Sequence, residues 1–182
     1  MSKTKTRRII FIHLDLGIGG AEQLIINLAT ASIPRCNGAN NVKIYTTHCS
    51  QSHCFDEVNY SKKGILANCV RLRGTFIPDE VKIPFVKRLG GRALFSSIRI
   101  LYLSVCAILE YLVYTFIFSS EACETLFVVD VLPTALPLIQ WFISLFSTKS
   151  RFAGVLFYCH FPDKVSGIFQ RNFVYSFLIH YF

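Results

Sequence analysis

A chain of 182 residues has room for one domain with at most a small tail. Hydrophobic residues make up 52% and charged residues 16%, which excludes an intrinsically disordered chain and leaves apolar side chains over for a membrane or a partner. The net charge of +8 comes without any nucleic-acid motif, so the expected partners are an anionic membrane face or a pyrophosphate-bearing ligand, not a nucleic acid.

In chain order, residues 1–8 form a polar arm carrying Lys3, Lys5, Arg7 and Arg8. Residues 9–14 (IIFIHL) read as a buried strand, residues 15–20 as a glycine-rich turn, and residues 21–31 as a helix with Leu24, Ile25, Leu28 and Ala31 on one side. Pro34, Asn37 and Gly38 end that helix. Residues 42–47 (VKIYTT) are a second strand, whose end is expected beside the glycine turn in a parallel sheet. A polar, irregular segment follows at 48–59, then a short strand at 69–73 and a loop holding Pro78 and Pro84. Gly90 and Gly91 lead into a long helical stretch at 92–118. Residues 126–129 form another buried strand ending at Asp130, Pro133 starts an apolar helix at 134–146, and residues 152–158 form the last strand, running into Cys159-His160-Phe161-Pro162-Asp163. Strands alternating with helices predict an α/β class with a Rossmann-like, doubly wound parallel sheet.

The 92–118 stretch is long enough to span a bilayer, with Glu110 as its only charge after Arg99. At about 100° per residue, Arg92, Arg99 and Glu110 nevertheless share one side, while Leu94, Ile98, Leu101, Val105, Leu109, Leu112 and Phe116 share the opposite one. That stripe favours a helix lying on the sheet or dipping into a membrane interface over a spanning one. Lys82, Lys87, Arg88, Arg92 and Arg99 make a basic stretch around its start; singly, each also reads as a solvated surface charge. The seven cysteines include no CxxC pair, and reduced cytosolic thiols are expected.

Gly17-Ile18-Gly19-Gly20 lets a backbone approach a ligand closely and aims the free N–H groups of the next helix at it, which suits an anion; a tight turn without a ligand is the alternative. The turn reads GxGG, strand two ends without an acid, and no Gly-Lys-Ser/Thr follows, so the nicotinamide and ATP-hydrolysis readings both weaken. His48, Cys49, His53 and Cys54 are spaced unusually for zinc, and a loop near the ligand crevice is the preferred reading. Asp130 ends a buried strand at the edge where open α/β sheets bind ligands, with capping of the following helix as its rival role. His160 and Asp163 follow the last strand at the same edge, where an imidazole can hydrogen-bond a sugar hydroxyl. No paired acids of the DxD type are present, so no metal is expected, and a sugar diphosphate would be met by backbone N–H groups and basic residues.

Taken together, HLDLGIGGAEQLIINLA, VKIYTTHCSQSHCF, VVDVLPTALPLI and LFYCHFPD occur in an order and spacing that resemble the N-terminal half of the alpha-1,3/1,6-mannosyltransferases of dolichol-linked oligosaccharide assembly, retaining GT-B glycosyltransferases of family 4. The resemblance covers residues 9–163; GGAE is widespread in the superfamily, whereas HCF and YCHFPD, taken with the rest, point to these enzymes in particular. It implies transfer of mannose from GDP-mannose to a dolichyl-pyrophosphate oligosaccharide at the cytosolic face of the endoplasmic reticulum membrane. It also implies that Gly19 and Gly20 meet the donor diphosphate, that His160 contacts the transferred sugar as the catalytic candidate, and that Asp130 and Asp163 serve the acceptor side.

The chain departs from the family at Ser50 and Thr75, where relatives tend to carry aspartates, and at Val131, where a polar residue is usual; these departures bear on acceptor contacts. Residues 9–164 are therefore expected to be the acceptor-side domain, and residues 165–182 a non-family tail, translated from a retained intron or the product of a gene-model error. Without the second Rossmann-like domain the chain alone is expected to be inactive. The alternative is a non-catalytic, membrane-associated binding module.

Overall fold

The structure, a computed structural model, describes residues 6–77, 91–118, 123–130, 132–146 and 151–158. Five parallel strands form one sheet, β1 (Thr6–Ile12), β2 (Val42–Thr46), β3 (Val70–Leu72), β4 (Cys123–Asp130) and β5 (Arg151–Tyr158), in the order β3-β2-β1-β4-β5. Helix α1 (Gly20–Ser32) covers one face, while α2 (Gly91–Val113) and α3 (Leu136–Phe146) cover the other. The predicted Rossmann-like, doubly wound class is what forms.

The cause is legible in the strands. Parallel strands bury both faces, so they read as continuous apolar runs. Ile10, Ile12, Phe127 and Val129 point to the α2/α3 face, and Phe11, Ile44 and Val128 to the α1 face. The register Ile12↔Val129 and Ile12↔Tyr45 sets the ends of β1, β2 and β4 at one edge.

Five details differ from expectation. Strand β1 begins at Thr6 rather than at Ile9. Arg8, assigned to the polar arm, is buried in β1 with its guanidinium 3.8 Å from the centre of the Tyr114 ring. The buried side of α1 is Ala21, Ile25, Ile26, Ala29 and Ser32, with Leu28 outside. Small residues at 21 and 29 let the helix settle close to the sheet, which rotates the larger Leu28 away. The long helix keeps its predicted stripe but faces the other way from an ordinary amphipathic helix. Ile100, Leu103, Ser104, Ala107 and Tyr111 pack inward with Arg99, while Leu94, Ile98, Leu101, Val105 and Leu109 are exposed. Strand β2 explains the inversion. It presents Lys43 and Tyr45 to this helix, and Glu110 accepts a hydrogen bond from the Tyr45 hydroxyl. Arg99 donates to Thr47 Oγ1, so it is a buried tie and not one of the surface cations expected of the basic stretch. Lys82, Lys87 and Arg88 lie outside the described residues.

Candidate functional site

Strand order reverses between β1 and β4, because the chain leaves β1 toward β2 and leaves β4 toward β5. In an open parallel sheet that divergence opens a crevice at the carboxyl ends of the two strands. His13 follows β1, and Asp130 ends β4. With side chains alternating along a strand, His13 falls on the α1 face with Phe11, and Asp130 with Val128. The two meet there. Asp130 is 0% exposed and His13 2%, and His13 Nδ1 lies 2.9 Å from Asp130 Oδ2, a close approach outside hydrogen-bond alignment. The other ring nitrogen, Nε2, is 3.6 Å from Glu22 Oε1 in the first turn of α1.

The glycine turn between His13 and Glu22 is pinned to the end of β2, as its position in a parallel sheet predicts. Thr47 N–H donates to Leu14 O, and Leu16 N–H donates to His48 O. Both threonine hydroxyls at the end of β2, Thr46 and Thr47, also donate to Leu14 O. Asp15 Oδ1 accepts the Gly17 N–H at 3.0 Å and tightens the turn. Gly19 is the N-cap of α1, in extended backbone that any residue adopts, with no side-chain cap. A Cβ there would stand 2.2 Å from Glu22 Oε2, the far end of a flexible side chain that can move aside. At Gly20 the position is the reverse: among the described residues nothing stands within 4 Å of the place a Cβ would take, and there is no positive φ to accommodate. The leading N–H groups of α1 and the positive end of its dipole thus stand beside the crevice, with the Glu22 side chain folded over Gly19, and a helix start of this kind is suited to a phosphate group.

The His48–Cys54 segment lies against this turn, with the His53 ring 3.6 Å from a Cβ built on Gly17. Cys54 packs in the α1-side core with Phe55 at its border. Burial, with Cys54 as neighbour, pushes the Cys49 thiol up to about 11, so it is held as a thiol at neutral pH. Among the described residues no three His, Cys, Asp or Glu side chains converge as a metal site would require.

Of the residues singled out in the sequence, Gly19, Gly20 and Asp130 come together, linked through His13 and Glu22. The turn at Pro133–Ala135 has Leu132 as its N-cap, and the Leu132 N–H donates to Asp130 O at 3.0 Å. His160 and Asp163 lie outside the described residues; β5 ends at Tyr158, which pairs with Asp130. His13 and Glu22 are the residues that sequence reasoning missed. The available signal was a histidine closing an otherwise apolar strand, and a glutamate three residues after a glycine N-cap, where a side chain folds back over the helix start.

The chain is similar over nearly its whole length to alpha-1,3/1,6-mannosyltransferases. It is 38% identical over 165 residues to the alpha-1,3/1,6-mannosyltransferase ALG2 of Saccharomyces cerevisiae, covering 91% of this chain and 27% of that protein. The Candida glabrata relative is 34% identical over 176 residues, covering 97% of this chain and 31% of the relative. The Schizosaccharomyces pombe relative is 33% identical over 158 residues, covering 86% and 24%. The resemblance carried by the four motifs thus extends across the chain, and the chain spans under a third of the length of these relatives. No protein-family model matches, and no solved structure matches.

Proposed function

We propose that this chain is the acceptor-side domain of a mannosyltransferase that moves mannose from GDP-mannose to a dolichyl-pyrophosphate-linked oligosaccharide. The observation that carries the reading is Gly20. Neither backbone strain nor packing among the described residues asks for glycine there, yet it stands at the start of α1, open to space, beside the strand-order reversal. A ligand that must approach the backbone closely is a physical reason for it. The mannosyltransferase relatives supply the chemical class of that ligand.

In this reading the donor diphosphate rests against the N–H groups of Gly19 and Gly20, and His160 hydrogen-bonds the transferred sugar where charge develops. Asp130 orders the crevice from below through His13, and Asp163 serves the acceptor side. Metal is not required, because the helix start meets the diphosphate charge directly.

The reading places the protein at the cytosolic face of the endoplasmic reticulum membrane. The exposed side of α2 supports a membrane-facing surface: Leu94, Ile98, Leu101, Val105 and Leu109 form one apolar row, and Trp141 and Leu145 of α3 are exposed as well. The segment Leu94–Phe116 is long and apolar enough to cross a bilayer by length and composition, but its inward side packs on the sheet. That packing favours a helix lying in the interface.

A chimera tests the function. Residues 9–158 replace the matching segment of the Saccharomyces cerevisiae relative, and transfer from GDP-mannose to a synthetic lipid-pyrophosphate acceptor is measured. Transfer is expected, and Gly20→Ala is expected to abolish it. A folded chimera without activity overturns the proposal.

A further inference from the structure

The glycine turn raises an electrostatic difficulty. Glu22 sits in the first turn of α1, and its Oε2 closes over Gly19 so tightly that a Cβ there would stand 2.2 Å away. A diphosphate at the Gly19–Gly20 turn, the reading on which this inference rests, would therefore lie beside a carboxylate. At contact distances in a partly buried site, like charges repel strongly enough to cancel what the helix dipole contributes.

His13 resolves the difficulty. Its two ring nitrogens face two carboxylates, Asp130 Oδ2 at 2.9 Å and Glu22 Oε1 at 3.6 Å, and the ring is 2% exposed. A neutral imidazole has one N–H donor, whereas the doubly protonated ring has two and carries a positive charge. The Asp130 carboxyl, itself fully buried, lies against Nδ1, and the ring set against it is aimed at Glu22 through Nε2. We infer that His13 is a positioning residue of the diphosphate site, bridging Asp130 and Glu22 as an imidazolium and cancelling the Glu22 charge beside the turn. Asp130 orients the ring, the ring draws Glu22 inward, and the start of α1 is left free for an anion.

The test uses the whole 182-residue chain, titrated with inorganic pyrophosphate and with GDP while the amide signals of Gly19, Gly20 and Ala21 are followed by NMR. Wild-type signals are expected to shift. His13→Gln is expected to weaken binding about tenfold, and adding Glu22→Gln to that variant is expected to restore it to within about twofold of Glu22→Gln alone. A histidine that merely supports the fold predicts no such rescue, so a double variant as weak as His13→Gln overturns the inference. Imidazole nitrogen shifts of the wild type give a second measurement, independent of any variant's folding: two protonated nitrogens at His13 at neutral pH are expected, and a neutral tautomer overturns the inference. Wild type that binds while His13→Gln binds equally well defeats the inference alone. Wild type whose turn amides respond to neither anion defeats the diphosphate reading and the inference with it.

Discussion

The two faces of the sheet are built on opposite plans. On the α1 face, Phe11, Leu16, Ile25, Ile26, Ile44 and Val128 make an apolar core, and the polar groups His13, Glu22 and Asp130 gather at one edge. On the α2/α3 face, polar groups are spread beneath the helix itself: Arg8 under Tyr114, Glu110 on Tyr45, Arg99 on Thr47. There the apolar row points outward. The α1 face concentrates its chemistry where strand order reverses, whereas the α2 face spends its polar contacts on seating a helix whose greasy side is kept for something outside. One sheet can therefore carry a polar edge and an apolar outer surface without either disturbing the other.

That contrast can be broken in order of expected effect. Phe127 is fully buried under α2, where the Tyr111 ring meets it at 5.8 Å. Phe127→Ala is expected to cost about 3–5 kcal/mol and detach α2 from the sheet, read by denaturant unfolding. On the α1 side, Gly64 is closed in by backbone, with Asp56 O 2.2 Å and Glu57 O 2.3 Å from where its Cβ would be. Gly64→Ala is expected to cost about 2–3 kcal/mol, since backbone cannot move aside as a side-chain end can. Gly20→Ala is the control, because among the described residues nothing stands in its way.

Tyr45→Phe probes the polar seat of α2. Burial, and then the bond to Glu110, hold the Tyr45 phenol well above its usual range. The folded state keeps this proton while an unfolded chain sheds it near pH ~10. Its contribution is therefore complete below about pH 10 and lost as pH rises toward the native value. Removing the hydroxyl is expected to cost about 1 kcal/mol at pH 7 and to flatten the alkaline fall in melting temperature. If the fall is unchanged, the phenol is not what seats the helix.

The smallest effects on stability carry the functional contrast. Gly20→Ala is expected to leave stability unchanged or raise it by up to about 1 kcal/mol while abolishing the pyrophosphate response. Loss of both together would make Gly20 a structural residue. Leu101→Ser, Val105→Ser and Leu109→Ser combined are expected to stay within about 0.5 kcal/mol per substitution, as exposed positions do. They are expected to release the chain from vesicles of endoplasmic-reticulum lipid composition in a flotation assay. Unchanged flotation would mean that the apolar row is not the membrane-facing surface.

Much of this molecule is legible in its residues. Apolar runs with glycine and proline punctuation place the five strands and three helices to within a few residues. The two-residue period and the long apolar helix are local properties of the chain. Gly19, Gly20 and Asp130 are legible as residues of one sheet edge, because each stands at a strand end or helix start there. Helical periodicity also gives the stripe of α2, but a period is symmetric: it identifies two sides without saying which is buried. Lys43 and Tyr45 on a different strand made that choice, by supplying partners for the polar side. The bridge from Asp130 through His13 to Glu22 was likewise beyond reach. Asp130 lies far along the chain from the other two, and only the pairing of β1 with β4 brings its carboxylate to an imidazole that one strand alone would present as an isolated polar residue.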